Sequence, residues 1–129
     1  MREQMMQNPQ MQERMLERRT SHMLDSVDAT PEQRSRVMQV ARAAFKDIAP
    51  LREQARVSRA KGREMLFAAN IDRAGLEKLR QDQMKLRDSM GQRTLSGMLD
   101  AMALLTPEQR AKLAARKRGG TGGGMGGMR

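Results

Sequence analysis

His22 is the only histidine in the chain, and cysteine is absent. The usual pairing of a nucleophile with an activating base therefore cannot be assembled. The serines and aspartates fall in periodic charged stretches, where a solvated surface is their ordinary role. No glycine-rich loop opens a helix ahead of a lysine, and the glycines near the C-terminus have no strand before them. These residues predict a protein that is not an enzyme. What remains for chemistry is methionine. Met11 and Met15 lie one helical turn apart, and Met5, Met6, His22 and Met23 flank them. Thioethers favour soft cuprous copper, and one imidazole could join them. Zinc or nickel would need more nitrogen or carboxylate ligands in one place. The plainer reading is that methionine stands in for leucine on an adaptable surface. No cofactor is expected, and a copper ion at Met11, Met15, His22 and Met23 is the alternative.

The elements that carry these residues follow from composition. The 129 residues amount to one domain's worth, 38% of them apolar, with fourteen methionines and only two aromatic side chains, Phe45 and Phe67. With 31% charged residues, that mixture suits long amphipathic helices with a thin apolar seam and does not suit a sandwich, a barrel or a doubly wound sheet. Without cysteine there are no disulfides or thiolate metal sites, and the redox compartment stays open. No run of about eighteen apolar residues is present to span a bilayer. The opening MREQMMQNPQ lacks the apolar core of a signal peptide, so the protein is either cytoplasmic or written without its leader.

The net charge of +10 is unevenly spread. From Arg34 to Arg63 there are nine basic and two acidic residues, and from Arg110 to Arg129 six basic and none acidic. Such a field attracts acidic partners of any kind.

The apolar spacing predicts four helices. The first opens at Pro9 behind an Asn8 cap and runs to about Asp25, with Met11, Met15 and Leu16 on one face. The second opens at Pro31 and carries Val37, Met38, Ala41, Ala44, Phe45 and Ile48 at spacings of three and four. Pro50 should kink or break it near Ala49, with a second piece from Leu51 to about Ala69 that Gly62 weakens. Asp72 caps the third helix, and Ile71 with Leu76 has the spacing of a hydrophobic staple. Leu76, Leu79, Leu86, Met90, Met98, Met102 and Leu105 mark its stripe. From Arg73 to Leu104 this helix would be about 48 Å long, which calls for a second copy of the chain as cover. The last helix runs from Pro107 to near Arg118. The expected organisation is a flexible Met-rich stretch at 1–9, one helical domain at 10–118 and a disordered glycine-rich tail at 119–129.

One motif occurs twice, as Ala29-Thr30-Pro31-Glu32-Gln33-Arg34 and Leu105-Thr106-Pro107-Glu108-Gln109-Arg110. Thr30 and Thr106 sit at N-cap positions, and Pro31 and Pro107 take the first helical position, which needs no donor. Glu32 and Glu108 face the positive end of the helix dipole, while Gln33 and Gln109 can reach back to the cap amide. Any helical protein can contain such helix starts singly. Their recurrence around a proline-interrupted helix and a long helix resembles the Spy/CpxP family and its LTxxQ motif. Leu105 to Gln109 matches that motif in full, and Ala29 to Gln33 in all but the leading leucine. The Asn70-Ile71-Asp72 opening of the third helix and the basic second helix agree with it.

The resemblance, over about residues 20–118, implies an all-α chain of four helices with a kinked second and long third helix, paired in an antiparallel cradle-like homodimer. It also implies a periplasmic, ATP-independent chaperone or envelope-stress protein whose basic, partly apolar concave face binds unfolded or misfolded proteins. Relatives such as ZraP and CnrX are tied to zinc or to nickel and cobalt, so metal resistance or sensing is the alternative. Nucleic acid is the less expected partner: the pI near 11.3 invites it, but no aromatics stack bases and no helix-turn-helix or zinc module is present. A Met-rich basic surface suits clients, because Met adapts to many apolar shapes and Arg and Lys attract unfolded chains at a distance. Arg42, Lys46, Arg52, Arg56, Met65, Leu66 and Phe67 are the candidate contact residues.

Overall fold

A computed structural model describes residues 8–120 and, among them, four α-helices and no strand. They are α1 (Pro9–Ser26), α2 (Pro31–Leu66), α3 (Arg73–Ala103) and α4 (Pro107–Gly120). The stretch 1–7 and most of the glycine-rich tail lie outside the described residues. Helix α4 itself runs two residues past Arg118, to Gly120.

The helix starts follow from their caps. Asn8 Oδ1 accepts from the Gln10 amide at 2.9 Å, with Pro9 in the first turn. Asp72 Oδ1 accepts from the Gly75 amide at 2.9 Å. The expected staple beside it leaves Ile71 58% exposed. Between α1 and α2 the chain turns through Asp28, whose φ of 53° is in the left-handed region that Asp tolerates better than most residues.

Pro50 does not break α2, which is one uninterrupted helix from Pro31 to Leu66. Pro50 and Lys46, whose carbonyl loses its usual donor, are both exposed, so water can meet the free acceptor.

The described chain divides into two compact units. The first comprises α1, α2 as far as Arg42, α3 from Met98, and α4. Its core is Leu24, Val27, Ala29, Val37, Leu105 and Leu113, with Met23, Ala101, Met102 and Leu104 packed against it. Leu24 is fully buried, worth about 1.5–3 kcal/mol relative to exposure. The buried positions of α1 are Thr20 and Leu24. Met15, expected on the covered face, is 48% exposed.

The second unit, residues 43–97, is the hairpin of α2 and α3. Small residues let the two helices approach. A Cβ on Gly97 would lie 3.0 Å from Ala44 Cβ, and one on Gly62 would lie 3.2 Å from Leu79 Cδ2. Gly62, expected to weaken α2, is thus a point of close packing. Ile48 is buried, and Leu76, Leu79, Leu86 and Met90 are half-buried as their spacing predicts. Further along α3, in the first unit, Met98 departs from the expected stripe at 57% exposure.

Candidate functional site

The repeated motif builds the centre of the first unit. At α2, the Gln33 amide donates to Thr30 Oγ1 at 3.1 Å, and the Thr30 amide donates to Gln33 Oε1 at 2.9 Å. At α4, Gln109 and Thr106 make the same two bonds at the same two distances. Both are complete capping boxes, as the spacing predicts. Sequence reasoning missed what the glutamines do next. Gln33 Nε2 donates to Gln109 Oε1 at 2.8 Å, and Gln109 Nε2 donates back to Gln33 Oε1 at 3.0 Å. Each amide spends its second proton on a loop carbonyl, Gln33 on Leu104 at 3.0 Å and Gln109 on Val27 at 3.3 Å. Every donor and acceptor of both side chains is therefore used.

The arginine that ends each copy was also missed. Arg34 Nε donates to the Ala29 carbonyl at 3.1 Å, and an Arg110 guanidinium nitrogen donates to the Leu105 carbonyl at 3.0 Å, both five residues back. Arg34 is also paired with Asp25 at 2.6 Å. The repetition of Arg within the motif was the signal that could have revealed this. Ala29 and Leu105, the leading residues of the two copies, are both buried. The motif residues thus form a structural clasp, with Lys112 and Asp28 paired beside it at 3.2 Å.

Exposed chemistry lies in the second unit. Phe67 is 86% exposed, Leu66 is 55% exposed, and Ile71 lies exposed across the same turn. Next to this turn α2 and α3 enclose an open groove of about 340 Å³, lined by Leu66, Leu76 and Leu79 and edged by Arg59, Arg63 and Arg80. Arg52, Arg56, Arg59 and Arg63 recur on α2 at intervals of four, three and four, one face of a helix, and all four are exposed. Arg56 is tied to Glu53, its Nε donating at 3.0 Å. Arg80 is tied to Glu77 by two bonds, 2.9 and 2.7 Å. Those bonds, with a third from Gln81, hold the Glu77 carboxyl down at about 2, and the pairing raises Arg80 in turn. Arg59 and Arg63 have no ion pair among the described residues.

The expected contact residues are not brought together as a set. Arg42 belongs to the first unit, where its Nε donates to Glu17 at 2.8 Å. Lys46, Arg52 and Arg56 are exposed along α2, and Met65 is half-buried. Of these residues, Leu66 lines the groove. Arg59, Arg63 and Arg80 were not singled out from the sequence.

Of the copper candidates, Met11 and Met23 are half-buried and Met15 and His22 exposed. Met23 packs against the core of the first unit. Met15 and His22 are seven residues apart on one helix, about 10 Å of rise. Among the described residues, no group of three or more His, Cys, Asp and Glu could hold a metal. Nor is any described helix long and apolar enough to cross a membrane.

The paired clasp is the structural form of a short motif, and the comparison with protein families agrees with it. The model of the LTXXQ motif family proteins matches residues 15–117. This chain belongs to the LTXXQ motif family. That family placement supports the Spy/CpxP type expected from the two motif copies. Neither the curated proteins nor the solved structures yield a significant match.

Proposed function

We propose that this LTXXQ-family protein is an ATP-independent periplasmic chaperone that holds unfolded or misfolded proteins during envelope stress, and that it does so without catalysis. The observation that carries this reading is the exposed apolar end of the second unit, where Leu66 lines a groove with Arg59 and Arg63, which have no ion pair among the described residues, and Phe67 and Ile71 stand exposed at the adjoining turn. Large side chains left in water beside like charges suit transient contact with other chains. The charges supply attraction at a distance, and the small number of aromatics keeps the holding weak enough to reverse.

The working form in this reading is a homodimer. Its support is the set of apolar side chains on α3 that stay more than half exposed, Met84, Leu95, Met98 and Leu99.

The test is aggregation of a chemically unfolded client followed by light scattering, with no ATP and no added metal. Near-stoichiometric protein should suppress the scattering. Raising salt should slow client capture, because exposed charges are screened beyond about 8 Å at physiological ionic strength. Unchanged scattering at a twofold excess of protein, together with tight cuprous binding lost on replacing Met11, Met15 and His22, would replace this reading by a metal-binding one.

A further inference from the structure

We infer that the groove edged by Arg59, Arg63 and Arg80 docks a client segment in which acidic and aliphatic residues alternate along an extended chain. The inference rests on the chaperone reading and sharpens it, by naming the surface and the chemistry of what it takes.

Three observations carry it. The groove wall is apolar, with Leu66, Leu76 and Leu79 on the two helices of the hairpin, so it takes aliphatic side chains. It is open to solvent and holds about 340 Å³, which fits a short strip of polypeptide better than an enclosed ligand. Its edge is cationic and in part unspent. Arg80 is already satisfied by Glu77, whereas Arg59 and Arg63 have no carboxylate among the described residues. A guanidinium matches a carboxylate by two parallel hydrogen bonds, so the edge selects acidic side chains over neutral ones.

Spacing sets the pattern. Arg59 and Arg63 are four residues apart on a helix, about 6 Å of rise. Alternate side chains of an extended strand share a face and repeat every 6.6–6.8 Å or so. Two acidic residues separated by one other residue therefore match the two arginines. The residue between them points to the opposite face of the strand, so with the acidic residues on the α2 arginines it is the one that meets Leu76 and Leu79 of α3.

The experiment uses the full chain and a fluorescein-labelled peptide of alternating Glu and Leu, read by anisotropy at low salt. The peptide should bind, and counterparts with Lys for Glu or Ser for Leu should bind at least about tenfold more weakly. The double substitution Arg59→Glu and Arg63→Glu should weaken the Glu-Leu peptide by about tenfold, the size expected for losing and reversing two exposed pairs. Arg59→Gln with Arg63→Gln gives a milder version whose helicity by circular dichroism should equal that of the parent.

Equal binding of the Lys-Leu peptide, or affinity within twofold in a folded Gln double variant, overturns the inference. Aggregation assays on the same proteins separate it from the chaperone reading. If the Gln variant loses the peptide but the parent never suppresses aggregation, the groove stands and the chaperone reading falls. If the variant keeps both peptide binding and suppression, clients are held elsewhere and the groove assignment falls alone.

Discussion

Gln33 and Gln109, 76 residues apart, hold each other by reciprocal amide hydrogen bonds of 2.8 and 3.0 Å. Each also completes the capping box of its own helix, so the start of α2 and the start of α4 are fixed by one shared network. A part-buried amide that loses its partner keeps a desolvation cost and gains nothing in return.

Gln33→Ala or Gln109→Ala should therefore each cost about 1–3 kcal/mol in urea denaturation. The double variant should cost less than the sum of the singles, with a coupling of at least about 0.5 kcal/mol. Strict additivity in this cycle would mean that the two amides do not clasp in solution. Gln33→Glu is a sharper probe, because a carboxylate accepts but cannot donate to the Leu104 carbonyl and Gln109. Its deficit should shrink as the pH is lowered and the side chain takes up a proton.

The threonines test the local half of the same motif. Thr30→Ala and Thr106→Ala should each cost about 1 kcal/mol, the usual loss for an N-cap. Because the two hydroxyls make equivalent bonds at 3.1 Å, the two losses should be similar. Equal stability of both variants and the parent would remove these residues as caps.

The caps were legible in the sequence because capping is local. Thr, Pro and Gln at fixed offsets state their partners within four residues, and Asn8 and Asp72 do the same. The four helices and the covered positions Val37, Ile48 and Leu105 followed from periodicity. The glutamine clasp was not legible, because nothing within either copy says that the other lies within hydrogen-bonding reach. Pro50 left a kink and a break both open in the sequence, and the structure removes the break, since α2 continues through it. The groove was hidden as well: Arg59 and Arg63 look like any other members of a basic helix until Glu53 and Glu77 are seen to claim Arg56 and Arg80.

Two glycines of α3, six positions apart and alike in sequence, should respond in opposite ways. Gly91 has open space where a Cβ would stand, so Gly91→Ala should gain about 0.5–1 kcal/mol from helix propensity. At Gly97 a Cβ would meet Ala44 Cβ at 3.0 Å, and a β-carbon cannot swing aside as a long side chain can. Gly97→Ala should lose that gain, and Gly97→Val should destabilise by about 1–3 kcal/mol through overpacking. Thermal melts of the three variants check the pair. A stabilised Gly97→Val would show that α2 and α3 do not approach closely at that point.

Glu77 sets how much of the groove's charge is available, and its titration gives a separate handle on the site. Two bonds from Arg80 and one from Gln81 hold its carboxyl at about 2, below the ordinary value of about 4.3. A carboxyl depressed in the folded state contributes stability that is fully present above the unfolded value and is lost as pH falls through the folded one. The difference in stability between the parent and Glu77→Gln should therefore be flat above about pH 5 and shrink between about pH 4.3 and 2. At neutral pH the same substitution removes the negative charge paired with Arg80 and frees that guanidinium. Glu77→Gln should then bind the Glu-Leu peptide more tightly than the parent does, and the gain should fade at high salt, where the exposed charges are screened. Unchanged affinity at low salt would mean that the peptide's carboxylates do not reach Arg80. In that event Arg59 and Arg63 alone would set the electrostatics of docking, and the acidic preference would depend on α2 rather than on both helices.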